Sequence, residues 1–278
     1  MGRRSRWPRA LVPVVVAASC AFASLASAGN GTVGNPFRAA NIGPYVWSQS
    51  GQVNSIYQDM QADAITASKG TYFAFNPRFS ITTGFYAGMQ NRGILSNGTT
   101  VYRSALTGLF AINNTSFKNL QPDICNSAAD FGAPGVSCAI VYNWGVGQQF
   151  RINFDALPVT SGPWCPLSTL TANGTASFCM VYVATIAPTS NPGAKTQIAA
   201  WSIDTRTYGV PSSAVSFLEV FSGGVPCNAG SPSGYFVLPF KVFGSNPLPP
   251  ATTGGSDEQA GCPAPKWWFD WVVQRITY

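Results

Sequence analysis

The chemistry open to this chain of 278 residues is limited by what it lacks: it holds ten carboxylates and no histidine. Without histidine there is no Ser-His-Asp or Cys-His relay, no imidazole metal ligand, and no imidazole general base. Paired carboxylates are the remaining enzymatic route, as in glycoside hydrolysis. Glu219 is the acid of interest because it sits inside the apolar run Val215–Phe221. A carboxyl on the concave face of a β-sandwich can serve as acid or base. The competing reading makes Glu219 an outward-facing strand residue or the partner of a nearby arginine. Asp155 and Asp204 stand at turn starts and read as turn residues. No close run of acids of the E-x-D-x-x-E type occurs.

Aromatic rings offer a second chemistry, the stacking of sugar faces with help from Asn, Gln and Arg hydrogen bonds. Trp47, Tyr86, Trp144, Trp164, Trp201, Trp267 and Trp268 are the rings to weigh. For each of them core packing is the default. Trp267 and Trp268 are adjacent, so in a strand they point to opposite faces and one is expected in an exposed or groove position. Tyr86, Gln90 and Arg92 share one side of a strand that also carries Gly84 and Gly88, where missing side chains permit close approach by a ligand or another backbone.

The elements that must carry these groups belong to an exported protein. Residues 1–28 read as a secretory signal peptide: Arg3, Arg4, Arg6 and Arg9 precede an apolar stretch, and Ala26-Ser27-Ala28 is a small-x-small cleavage site before Gly29. The apolar stretch is too short and too rich in Ala and Ser for an anchor, and no later run approaches the ~20 apolar residues of a membrane span. Of the 16 basic residues four leave with the signal, so 12 face 10 acids in residues 29–278. No basic patch remains for nucleic acid. Six cysteines follow the signal, and local pairing gives Cys125–Cys138, Cys165–Cys179 and Cys227–Cys262 among the many connectivities allowed. Zinc binding is the poorer reading, since there is no histidine and no C-x₂-C spacing. No metal and no cofactor is expected. Sequons stand at Asn30, Asn97, Asn113, Asn114 and Asn173, mostly in predicted loops.

Residues 29–278 read as one all-β domain, with low charge and abundant Gly and Pro. Thr71–Gln90 reads as two strands around a polar connection, with Pro77 marking a turn or an edge. Asn54–Ala67 is compatible with helix or strand and is read as strand, because Ile56, Gln58 and Met60 alternate between β-like neighbours. Leu106–Ile112, Ala139–Trp144, Gln148–Phe154, Ser177–Ile186, Lys195–Ile203, Val215–Phe221 and Tyr235–Phe243 complete the pattern. Gly145–Gly147 is a plausible hairpin, and 113–134 reads as a long loop that a Cys125–Cys138 bridge would clamp. Ten to twelve short strands predict a two-sheet antiparallel β-sandwich of jelly-roll or concanavalin A type.

Gly84-Phe-Tyr-Ala-Gly88-Met-Gln90, followed by Leu109-Phe-Ala-Ile112, resembles the Gly-Tyr-x-Gly-Met-Gln … Phe-Ser-x-Trp pattern of a secreted family known only as a domain of unknown function. Cys125…Cys138, Tyr142-Asn-Trp144, Gln149-Phe-Arg-Ile152 and Phe217-Leu-Glu-Val-Phe221 with Cys227 are similar in order. The acidic and Trp residues of the second motif are replaced here by Asn113 and Ile112. The resemblance implies a concanavalin A-like sandwich and an extracellular role, and no reaction. Together these observations predict a secreted, non-enzymatic protein that binds carbohydrate or a cell-surface partner. The alternatives are a polysaccharide-active hydrolase or lyase using carboxylates, and a structural or host-interaction protein. Oligomeric state is open at this point.

Overall fold

The computed structural model describes residues 38–277, apart from 49–52, 66–69, 81–82, 111, 128–133, 161, 222–231, 254–255, 260–265 and 270–272. The signal segment, Cys227 and Cys262 lie outside the described residues. Nineteen strands are described. Along the chain they begin with β1 (Arg38–Val46), β2 (Ser55–Ala64), β3 (Gly70–Arg78), β4 (Gly84–Ile94), β5 (Thr100–Phe110) and β6 (Phe117–Asn119). Next come β7 (Cys125–Asn126), β8 (Gly135–Val141), β9 (Gln149–Val159), β10 (Cys179–Pro188), β11 (Thr196–Asp204) and β12 (Ser213–Phe221). The chain continues with β13 (Ser233–Val237), β14 (Phe240–Phe243), β15 (Asn246–Leu248) and β16 (Thr252–Thr253). It closes with β17 (Ser256–Gln259), β18 (Lys266–Phe269) and β19 (Val273–Thr277). The expected ten to twelve strands are the long ones; the rest are pieces of two to five residues, too short to show a period.

The strands form two antiparallel sheets, a disulfide-bonded β-sandwich. The first runs β16-β1-β12-β3-β4-β5-β8-β7, with β17 also pairing β1. The second runs β18-β19-β13-β2-β9-β10-β11-β6, with the β14–β15 hairpin attached to β2. Alternation explains why these segments are strands. In β2, Ile56, Gln58, Met60 and Ala62 are buried, while Ser55, Tyr57, Asp59 and Gln61 are half-buried. Phe85 of the first sheet meets Phe154, Tyr182 and Trp201 of the second, with ring centroids at 5.0, 4.6 and 6.1 Å. Such ring pairs contribute roughly 0.5–1.5 kcal/mol beyond their buried area.

Four local expectations change. Pro77 does not end its strand: β3 runs through it and pairs with β12 along its whole length. Its missing N–H shows on the β4 side, where pairing is interrupted between Phe75↔Ala87 and Arg78↔Gly84. The Asn76 side-chain amide donates instead to the carbonyl of Phe85, which that register places opposite Pro77. The region 113–134 is not all loop, because β6 joins the edge of the second sheet and β7 the edge of the first. The hairpin at Gly145 is not formed, since β8 and β9 belong to different sheets and the glycines carry a crossing. Finally, Tyr235–Phe243 divides into β13 and β14.

Cys125–Cys138 and Cys165–Cys179 are bonded as read from the sequence. Cys125 and Cys138 stand directly opposite each other in the β7–β8 ladder, so the bridge fixes that edge.

Candidate functional site

Alternation along the first sheet assigns every other side chain to its outer face, and that face is itself apolar. Tyr72, Ala74, Tyr86, Leu106, Ala139 and Phe217 form a second buried cluster there, separate from the core between the sheets. Two cross-strand rows define it. One is Phe217–Ala74–Gly88–Leu106–Ala139; the next is Glu219–Tyr72–Gln90–Ser104. The second row places a carboxyl, a phenol, an amide and a hydroxyl side by side, all of them nine-tenths or more buried.

Glu219 is 3% exposed and lies on β12; Gln90 is 8% exposed and lies on β4. With strands ~4.8 Å apart, their backbones are separated by about 10 Å, with β3 between them. Tyr72 does not fill that interval upright. Its hydroxyl donates to the Leu106 carbonyl on β5 at 3.0 Å, and its ring leans edge-on toward Phe217 and Tyr86 at 5.6 and 6.4 Å. Gly88 lets β4 come close to β3 here: a Cβ on it would stand 1.9 Å from the Phe73 carbonyl oxygen. Gly108 gives way to the Tyr86 ring, whose atoms lie 2.3–2.7 Å from where its Cβ would be.

Gln90 is held from the β5 side. The Ser104 hydroxyl donates to its Oε1 at 3.3 Å, and the Trp144 indole N–H donates to the Gln90 and Ser104 carbonyls at 3.3 and 3.1 Å. Arg103 covers the Trp144 ring, with its guanidinium carbon 4.1 Å from the centroid. Because Oε1 faces Ser104, the trigonal amide turns its NH₂ away from β5.

The sequence candidates are distributed as follows. Glu219, Tyr86 and Gln90 share the outer face of the first sheet. Arg92 does not join them: its backbone is left-handed, with φ 53°, and its side chain is exposed past the end of the buried row. Trp267 and Trp268 lie on β18, paired with Ile276 and Arg275 at the far edge of the other sheet, and their side chains lie outside the described residues. Tyr72 and Ser104 were not singled out by the sequence. Their signal was their cross-strand position, which needs the register. Among the described residues no group of three or more His, Cys, Asp or Glu gathers to hold a metal ion. No helix among them is long and apolar enough to cross a membrane.

No protein-family model and no curated protein matches the sequence. Among solved structures the chain is similar to scytalido-glutamic peptidase with a peptide-based transition-state analogue. That similarity has 8% identity, 87% of this chain and 99% of the other covered, and a TM-score of 0.46. It is also similar to SCP-B, a member of the eqolisin family of peptidases, in complex with the tripeptide Ala-Ile-His, with 8% identity, 88% and 99% covered, and a TM-score of 0.44.

The expectation of non-enzymatic binding of carbohydrate or a cell-surface partner, with its polysaccharide-hydrolase and structural alternatives, is corrected. The structures the chain resembles are peptidases. Four of the rings that suggested sugar stacking, Trp47, Tyr86, Trp144 and Trp201, are buried and offer no platform; Trp164 is exposed, away from the Glu219 row, beside Cys165. Sequence alternation missed this because it cannot tell a buried outer face from a solvated one.

Proposed function

We propose that the Glu219–Tyr72–Gln90–Ser104 row is a hydrolytic site acting on an amide carbonyl, with Glu219 as its acid–base group and Gln90 as its oxyanion donor. The observation that carries this reading is the placement of Glu219 and Gln90 on one buried face, in one row, two strands apart. The chain has no histidine and its described cysteines are paired, and in this reading the nucleophile is a water activated by Glu219.

The Glu219 carboxylate accepts a proton from water as the water oxygen bonds to the carbonyl carbon. The Gln90 NH₂, oriented by Ser104, donates to the oxygen on which negative charge develops. Glu219 then returns its proton to the amide nitrogen as the C–N bond breaks, leaving a carboxylic acid and an amine. Tyr72 and Trp144 are positioning residues. The two disulfides support an oxidising, extracellular setting, which agrees with export directed by residues 1–28.

The test is cleavage of an unstructured protein, such as reduced casein, scanned from pH 2 to 8. Fragment release is expected from the natural protein. It should fall at least about 100-fold in Glu219→Gln and in Gln90→Ala, since one oxyanion donor alone is worth about that factor. Equal cleavage by Glu219→Gln and the unmodified protein, with both equally folded by circular dichroism, would sink the assignment.

A further inference from the structure

Large apolar side chains are costly to leave in water as a group, and they gather at one place on this molecule. Eight are exposed among the described residues, and four of these, Leu157, Trp164, Leu167 and Phe178, surround the Cys165–Cys179 bridge. Trp164 and Phe178 immediately precede the two bonded cysteines, whose Cα atoms are 5.9 Å apart. Leu167 opens the short 3₁₀ turn Leu167–Thr169 and is 86% exposed. Leu157 stands opposite Val181 on the outer face of β9, two residues before Val159, which pairs with Cys179. Beneath them Cys165, Ala176 and Cys179 form a small buried cluster that roots the loop.

Most carbonyls from Pro163 to Thr169 are paired, some within the loop and some by side chains of neighbouring elements. The carbonyl of Pro163 accepts from Lys118, that of Trp164 from Ser202, and that of Ser168 from Arg206. The carbonyls of Pro166 and Leu167 accept from the backbone N–H groups of Thr169 and Leu170. Thr169 accepts from both the N–H and the hydroxyl of Ser177, and Phe178 accepts from the Thr205 N–H. Carbonyls paired in this way can leave water without the penalty that bars ordinary loops from an apolar medium. A polar partner surface would not require it. Two cations border the apolar tips: Lys118 at Pro163, and Arg206, whose guanidinium lies 5.6 Å from the Phe178 ring centre. The acid in contact, Asp204, is buried beneath Arg206.

We propose that this disulfide-rooted loop docks the protein on a lipid bilayer, with Trp164, Leu167 and Phe178 entering the interfacial region and Lys118 meeting the headgroups. Rigid apolar tips, an interfacial tryptophan and a flanking cation are the combination that such a surface recognises. The face belongs to the second sheet, and the inference is independent of the hydrolytic reading.

The experiment is co-sedimentation of the full mature protein with vesicles of phosphatidylcholine, alone or with about one-third phosphatidylserine. Binding to both is expected, stronger on the anionic vesicles. Leu167→Asp should lower the partition coefficient at least ten-fold on both compositions while the circular dichroism spectrum and urea-unfolding midpoint are unchanged. Lys118→Gln should lower it several-fold on anionic vesicles alone. Brominated lipid should quench the emission of the unmodified protein more than that of Trp164→Phe. No sedimentation of the unmodified protein, or equal sedimentation of Leu167→Asp, overturns the proposal. So does a dimer in solution that Leu167→Asp dissolves, because the loop would then be covered by a second copy.

Discussion

Ser216 of the first sheet and Gln58 of the second meet in the middle of the sandwich, the Ser216 hydroxyl donating to Gln58 Oε1 at 2.7 Å. The Gln58 NH₂ continues to the Val237 carbonyl at 2.8 Å, and the Tyr45 hydroxyl lies 3.3 Å from Ser216 Oγ. Burial pushes the Tyr45 phenol far above its usual range, and its bonds to Ser216 and Gln58 offset only part of this. A polar chain between two apolar layers fixes how the sheets slide past one another, because any slip strands its members unpaired.

Ser216→Ala should therefore cost about 1–3 kcal/mol by removing the buried hydroxyl that donates to Gln58 Oε1. Gln58→Leu should cost a similar amount at Ser216. The double variant should cost less than the sum, since the Ser216–Gln58 bond can be lost only once, while the Val237 carbonyl loses its Gln58 donor with or without Ser216. Urea unfolding of the four proteins measures the coupling; simple additivity would refute it.

Gly88 makes a sharper claim than Gly108 on the neighbouring β5. A methyl there meets the Phe73 carbonyl at 1.9 Å, and backbone cannot move aside, whereas a methyl on Gly108 meets the Tyr86 ring, which can rotate. Overpacking of this kind costs about 1–3 kcal/mol or more. Gly88→Ala should be the more destabilising of the two by thermal unfolding, with Gly108→Ala near the low end of that range.

The glycines also show what the sequence could reveal. Gly84 and Gly88, four apart, do face one side, and the close backbone approach expected of strand glycines is found between β4 and β3. The Ile56, Gln58, Met60 alternation marked β2, and it even placed the polar Gln58 on the inner face. Glu219 was harder. The sequence leaves open a carboxyl on a concave face or an outward-facing strand residue; Glu219 faces outward with Val215 and Phe217, and all three are buried there, on a face with an apolar cluster of its own. Period two separates faces without saying what covers either one. Likewise, the residues around Gly145 permit both a hairpin and a crossing, and nothing local names the sheet that a strand will join.

Asp204 supplies a test in acid. Burial pushes its carboxyl up, but the side-chain and backbone hydrogen bonds of Arg206, with that of Ser168, outweigh burial and hold it below the usual range. A carboxyl depressed in the folded state stabilises above its unfolded pKa and loses that contribution as pH falls through the folded value. Stability should decline as pH falls below about 4, where the unfolded carboxyl, near 3.9, takes up its proton before the folded one does. Asp204→Asn should flatten that part of the profile. Asp204→Ala also removes the cap that accepts the Arg206 N–H at 3.0 Å, at a cost of about 1–2 kcal/mol. An unchanged acid limb in Asp204→Asn would refute the assignment.

Lys241 tests the opposite end of the scale. It is 1% exposed on β14, its ammonium 5.3 Å from the Trp47 ring centre and 5.8 Å from that of Phe243. Burial lowers its pKa to about 8. The folded protein thus releases this proton well before the unfolded chain, whose lysine titrates near ~10.4. In that window the unfolded state binds more protons, so stability rises with pH. Between about pH 8 and 10.4 the midpoint of urea unfolding should climb, against the usual decline of proteins in mild alkali. Lys241→Met keeps the apolar stem without the charge, and so should match or exceed the unmodified protein at pH 7 and show no climb. If both proteins follow one alkaline profile, Lys241 titrates alike folded and unfolded, and its ammonium is not confined between Trp47 and Phe243.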